Sequence, residues 1–359
     1  MARKKRSYRY RKNNSASRIK RKIKLFGFAV LSVVISVFIL LGISVYKFIN
    51  APFTSASNVY QNDSNVWKPD NTNVLLILLD DRNDKYSEIK KLGLINFDIP
   101  TKRYTIYWVP VDTEIDYALN YGKGTFSRIL AVGNTDQDRG IFLLNKTILK
   151  TLAIKVDGYI AVDQDGLNKI TDVSGKINQE DLSSSLRLRN LPNLPKLVST
   201  FRNNANTNLH LSDIKSIIGF IRNTSETSSS IESLTKYHLI DSENWDSLWQ
   251  SKLDMSGVKK EAVKVFVANA SKDPKIPGLA TWGARVVKNI GASVLETQNA
   301  FVDFDEDTII TDNTDLETVK KLAQSLGIKN IINVDDLNQN GGYNLQIFRT
   351  SVTLVITKF

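Results

Sequence analysis

The chain has 359 residues, 42% of them apolar, which is enough for two or three domains with buried cores and excludes a disordered polypeptide. Its net charge of +11 is unevenly placed: residues 1–24 hold 12 Lys and Arg and no acid, and removing those 12 from 48 leaves 36 bases against 37 acids. A near-neutral bulk disfavours a nucleic-acid partner. With no Cys there is no disulfide framework, thiol nucleophile or Cys-ligated metal, and the two His, His210 and His238, have no metal-binding spacing.

The basic segment 1–24 includes Tyr8 and Tyr10, a mixture open to a nucleic-acid reading but sufficiently explained by attraction to anionic lipid headgroups. Residues 25–46 then run without a charge for 22 residues, which as a helix spans roughly 33 Å, a bilayer core. A cleaved signal peptide is the competing reading, although its apolar region would normally be only ~7–15 residues long. A retained anchor with basic residues inside predicts a single-pass cell-membrane protein with a cytoplasmic N-terminus and an extracytoplasmic bulk.

Residues 47–72, rich in Asn, Ser, Thr and Pro, read as a stalk. A first α/β domain is expected over 73–235. Asn73–Asp80 (NVLLILLD) and Thr105–Asp112 (TIYWVPVD) read as strands buried on both faces. A helix follows, with Ile141, Leu144, Ile148 and Leu152 on one face, then the strand Tyr159–Asp163 (YIAVD), and later a helix with Ser212 as expected N-cap. Residues 236–260 read as a linker with one amphipathic helix, whose Trp245 and Trp249 at i, i+4 are expected to pack on a neighbouring domain. A second α/β domain is expected over 261–359. It opens with the strand AVKVFVANA and a helix stopped by Gly291; a second helix, expected to start with a capping box of Thr314 and Glu317, ends at Gly327. The fold class is thus α/β: a single N-terminal transmembrane helix followed by two extracytoplasmic α/β domains.

Chemical motifs are sparse. Asp112 and Asp116 could chelate a cation but serve more ordinarily as caps, and the acidic run Phe301–Thr308 lacks the glycine and closing glutamate of an EF-hand. No GxSxG, Walker A or GxGxxG is present, so serine-hydrolase and nucleotide-binding chemistry have no support.

In order, NVLLILLD, VPVDTEI, the run from Leu143 to Ile177 and TNLHLSDIKSII resemble the domain of the LytR-CpsA-Psr family; residues 262–359 are similar to the small C-terminal domain often appended to LytR-type proteins. The resemblance implies an envelope protein acting on a polyprenyl-linked glycan or peptidoglycan. Its activity would be phosphotransfer of a glycopolymer from a polyprenyl-pyrophosphate carrier to the wall, with arginines holding pyrophosphate, carboxylates holding a divalent metal such as Mg²⁺, and an apolar groove for the lipid. Mapped by motif, the metal ligands would be Asp80, Glu88 and Asp112, and the catalytic set Asp80, Asp112, Arg82 and Arg128.

The phosphate clamps depart from the pattern. Val111 stands where the signature has arginine, and Lys85 or Tyr86 where another is expected. Each lost charged hydrogen bond removes roughly 1.5–3 kcal/mol of phosphate binding. Two readings therefore stand: an envelope-binding module with impaired or lost catalysis, and an active transferase in which Arg82, Arg103, Arg128 or Arg139 compensates.

Overall fold

A computed structural model describes residues 66–68, 70–174, 194–224, 228–253, 257–272, 276–300, 303–334 and 350–358. These lie in one compact unit, Pro52–Phe359. No helix among the described residues is long and apolar enough to cross a membrane, and the expected span 25–46 lies outside them.

The first lobe is built on a mixed six-stranded sheet. Its strands are β1 (Asn71–Leu79), β2 (Ile89–Asp98), β3 (Arg103–Val109), a short β-hairpin of β4 (Glu114–Asp116) and β5 (Lys123–Thr125) set apart from the sheet, then β6 (Gly158–Asp163), β7 (Asn206–Thr207) and β8 (Ser229–Ser233). The sheet order is β7-β6-β1-β2-β3-β8, with β1 parallel to β6 and antiparallel to β2. The expected strands are present. The central β2 has no counterpart in the sequence reading, because its alternation is broken by Lys90-Lys91 and by Gly93. That glycine has a packing reason: a Cβ there would lie 2.9 Å from the Trp108 ring of the neighbouring strand.

Helices α1 (Ile129–Asn134), α2 (Gly140–Leu152), α3 (Gln164–Ser174), α4 (Leu194–Asn204) and α5 (Leu211–Asn223) accompany this sheet. Leu144, Ile148 and Leu152 of α2 are buried in the core with Leu75, Ile77 and Tyr107, as the helical spacing requires. α5 starts one residue before the expected cap: Asp213, not Ser212, organises its entry by accepting from the N–H groups of His210 (2.8 Å) and Trp67 (3.0 Å).

The expected linker is a folded helical layer. α6 (Lys236–Ile240), α7 (Ser242–Gln250) and α8 (Gly257–Glu261) occupy it, and Trp245 and Trp249 are buried in the first lobe's core. Their rings stand 5.2 and 5.9 Å from that of Tyr107 and 5.4 Å from each other. Aromatic burial of this size outweighs the polar composition that suggested a linker.

The second lobe carries the sheet order β10-β9-β13-β11-β12, with β9 (Lys264–Asn269), β10 (Ser293–Asn299), β11 (Thr308–Thr311), β12 (Asn330–Asn333) and β13 (Val352–Ile356), and helices α9 (Leu279–Asn289) and α10 (Glu317–Leu326). Gly291 and Gly327 end the two helices at positive φ. The Thr314–Glu317 capping box does not form. α10 begins only at Glu317, and Glu261 of α8 takes the N–H groups of Glu317 (2.6 Å) and Thr318 (2.9 Å).

The lobes share a core. Leu149 and Ala153 pack with Val265, Trp282 and Val286 of the second lobe. The carbonyls at the C-terminus of α2 receive donors from α7 and α9: Trp282 Nε1 bonds Lys150 O (3.1 Å), Arg285 Nη2 bonds Thr151 O (3.1 Å), and Trp245 Nε1 and Asn289 Nδ2 bond Leu152 O (2.8 and 3.2 Å). Helix-end carbonyls otherwise left without intrahelical partners are thus satisfied by long-range side chains.

Candidate functional site

β1 and β6 run in parallel and end side by side, Leu79 opposite Asp163. The C-terminal ends of such strands are where mixed α/β sheets place their ligand-bearing loops. From Leu79 the chain loops out and returns as β2. The loop is stitched by its own polar groups: Asp80 N–H donates to Glu88 O (3.0 Å), Asp81 N–H to Ser87 Oγ (2.9 Å) and Tyr86 N–H to Asp84 Oδ1 (2.9 Å). Ser87 is therefore a buried loop fastener.

Three of the five expected site residues come together here. Lys90 Nζ lies 3.5 Å from Asp80 and 3.6 Å from Glu88, and Arg128 Nε lies 3.7 Å from Glu88. These side chains are open to solvent, Arg128 by 73%, so each pair contributes only about 0–1 kcal/mol. Lys90 lies between the two carboxylates. Asp112 is exposed in the turn after β3 and forms no ion pair among the described residues. Among the described residues no group of three or more His, Asp or Glu is arranged to hold a metal; of the expected ligands, Asp80 and Glu88 share Lys90, and Asp112 is not paired with it.

Asp116 and the acidic run before β11 have structural roles instead. Asp116 pairs with Lys150 at 2.6 Å, and Asp307 accepts from the Thr357 N–H and hydroxyl, both at 2.7 Å. Val111 is half-buried and packs against the core that contains Tyr117 and Phe126, while its carbonyl accepts from Ser127 N–H at 3.0 Å. The arginine-rich stretch Arg187–Lys196 falls almost wholly outside the described residues.

Arg82 differs from the other expected residues. Its Nη1 is buried and has no hydrogen-bond partner, while its backbone N–H donates to Asp163 Oδ2 at 3.3 Å. Asp163 also accepts from Gly166 N–H at 2.7 Å, at the start of α3. Burial pushes the Asp163 carboxyl up, but the Gly166 and Arg82 N–H groups and the Arg82 charge outweigh it and hold the group below the usual aspartate value. Arg82 thus keeps an unused guanidinium N–H next to a carboxylate already satisfied by backbone donors. Asp163 and Lys90 were not singled out in the sequence: the first depends on the β1–β6 register, the second on a strand the pattern conceals.

No protein-family model matches the chain, and no curated protein matches it in sequence. Solved structures with a similar chain path include TagV from B. subtilis (15% identity, 47% of this chain and 86% of that chain, TM-score 0.39) and TagT from B. subtilis (20% identity, 47% and 81%, TM-score 0.31). TagT bound to LI-WTA is similar over 52% of this chain and 84% of that one, at 18% identity and a TM-score of 0.31. Similarity at this level does not extend to chemistry.

Proposed function

We propose that this is a membrane-anchored, extracytoplasmic envelope protein of the LytR-CpsA-Psr type that binds a wall glycopolymer or its polyprenyl-pyrophosphate carrier without transferring it. The ordered motifs of the sequence support the envelope part of the reading. The observation that supports the loss of transfer is that Asp80 and Glu88 face Lys90 and that no group of three or more acids or His among the described residues is arranged to hold a metal. Two further facts agree with it. Val111 turns an apolar side chain into the core at the position where the signature has a phosphate clamp, and Tyr107, Trp245 and Trp249 pack together as a filled aromatic cluster in the first lobe's interior.

One observation favours the second reading, an active transferase: the unpartnered Arg82 Nη1 is a donor suited to a phosphate oxygen. The two are separated by measuring the binding of polyprenyl-pyrophosphate glycan to the full chain with and without Mg²⁺. The binding reading expects affinity independent of Mg²⁺, about tenfold weaker in Arg82→Gln and unchanged in Asp112→Ala. Binding that requires Mg²⁺ and is lost in Asp112→Ala contradicts it and supports transfer.

A further inference from the structure

A second site lies in a cleft between the lobes, away from the β1–β6 ends. Asn71 at the start of β1, Asp157 before β6 and Trp249 of α7 line it from one side; Lys321, Gln324 and Ser325 of α10 line it from the other. The i, i+3, i+4 spacing of the last three puts them on one helix face.

Asp157 and Trp249 are already committed. Asp157 accepts from Lys68 Nζ at 3.0 Å and from Asn73 N–H at 2.9 Å, and the Trp249 indole donates to Asn289 O at 2.9 Å. The α10 face is not. Lys321 has no carboxylate within ion-pair reach among the described residues, and the side chains of Gln324 and Ser325 hydrogen-bond to none of them, although Ser325 is only 8% exposed. The side chain of Asn71 is likewise uncommitted. Burial pushes the Lys321 ammonium down, partly offset by Asp157 and Asp70, with Lys68 opposing.

A partly buried ammonium with no carboxylate in ion-pair contact is costly, and the polar groups around it are hydrogen-bonding groups that the protein leaves unused. The cavity measures about 40 Å³, room for about three waters at ~10–15 Å³ each. Acetate, with four heavy atoms, is smaller than tetrahedral phosphate, with five, so a cavity this small favours the former. Asp157 does not repel such a group strongly, because Lys68 neutralises it.

We propose that this cleft binds the carboxylate of a small organic acid, with Lys321 as counter-ion and Ser325, Gln324 and Asn71 bonding the carboxylate or a neighbouring hydroxyl. The site is independent of the envelope reading. Its test is ligand-observed NMR on the full chain with acetate as probe, inorganic phosphate as competitor and physiological chloride as background. Saturable binding of acetate is expected, about tenfold weaker in Lys321→Gln, retained in Lys321→Arg and undisturbed by phosphate. Non-saturable binding, equal affinity in Lys321→Gln, or equal competition by phosphate overturns the proposal. Should Lys321→Gln lose its melting transition, Ser325→Ala carries the test: a several-fold weakening supports the site and unchanged affinity contradicts it.

Discussion

Arg82 and Asp163 are the residues on which the candidate site depends, and they were unequally visible in the sequence. Arg82 could be found because it follows a recognisable strand. Asp163 could not, since it is adjacent to Arg82 only through the parallel β1–β6 register, and nothing local distinguishes it from any strand-ending aspartate. Because its folded value is held below the ordinary one, its contribution to stability is complete above the unfolded aspartate value, about 3.9, and is lost as the pH falls through the folded value. Thermal melts of the full chain and Asp163→Asn should therefore differ at pH 6 and converge as the pH drops below about 4. A gap that stays constant from pH 6 to 3 would show that the charge of Asp163 does not matter. That position 111 is valine, where the family resemblance implies an arginine, was legible from residue identity alone; that Val111 packs on the core required the structure.

At the scale of elements, periodicity located strands β1, β3 and β6 and helices α2 and α9, whereas caps supplied from a distance were hidden. Glu261 replaces the local Thr314 box, and no reading of residues 312–318 could reveal an acceptor 56 residues upstream. Burial pushes the Glu261 carboxyl up, but the Thr318 hydroxyl and the Thr318 and Glu317 N–H groups hold it below the usual glutamate value. Glu261→Ala should cost about 1 kcal/mol in urea unfolding, while Thr314→Ala should cost nothing measurable. Equal effects of the two would restore the local box. Likewise, Trp245→Ala should cost about 3–5 kcal/mol, because its ring is fully buried against Tyr107 and its indole caps Leu152. The polar composition of segment 236–260 concealed this, since its buried residues, Leu239, Trp245, Trp249, Leu253 and Val258, are few and scattered.

For the whole molecule, the decisive feature is that α2 ends in carbonyls satisfied by groups between 93 and 137 residues away in sequence. The bidentate Arg285–Asp246 pair, at 2.7 and 3.1 Å and with both side chains largely buried, reinforces the same junction. The lobes should accordingly unfold together, in a single transition reported equally by tryptophan fluorescence and far-UV circular dichroism. Two separated transitions would contradict a shared core. Ending the chain after Leu253 should leave no folded first lobe, because the Trp282, Arg285 and Asn289 donors would be removed along with the apolar partners of Leu149.

The most direct test of the central claim is a side-by-side transfer assay, with the full chain, polyprenyl-pyrophosphate glycopolymer and peptidoglycan, with and without Mg²⁺, reading radiolabel moved to the acceptor. A chain that retains the carrier but moves no label above the protein-free control is what the Lys90-bridged acids and the apolar Val111 predict. Magnesium-dependent transfer abolished by Asp112→Ala would contradict it.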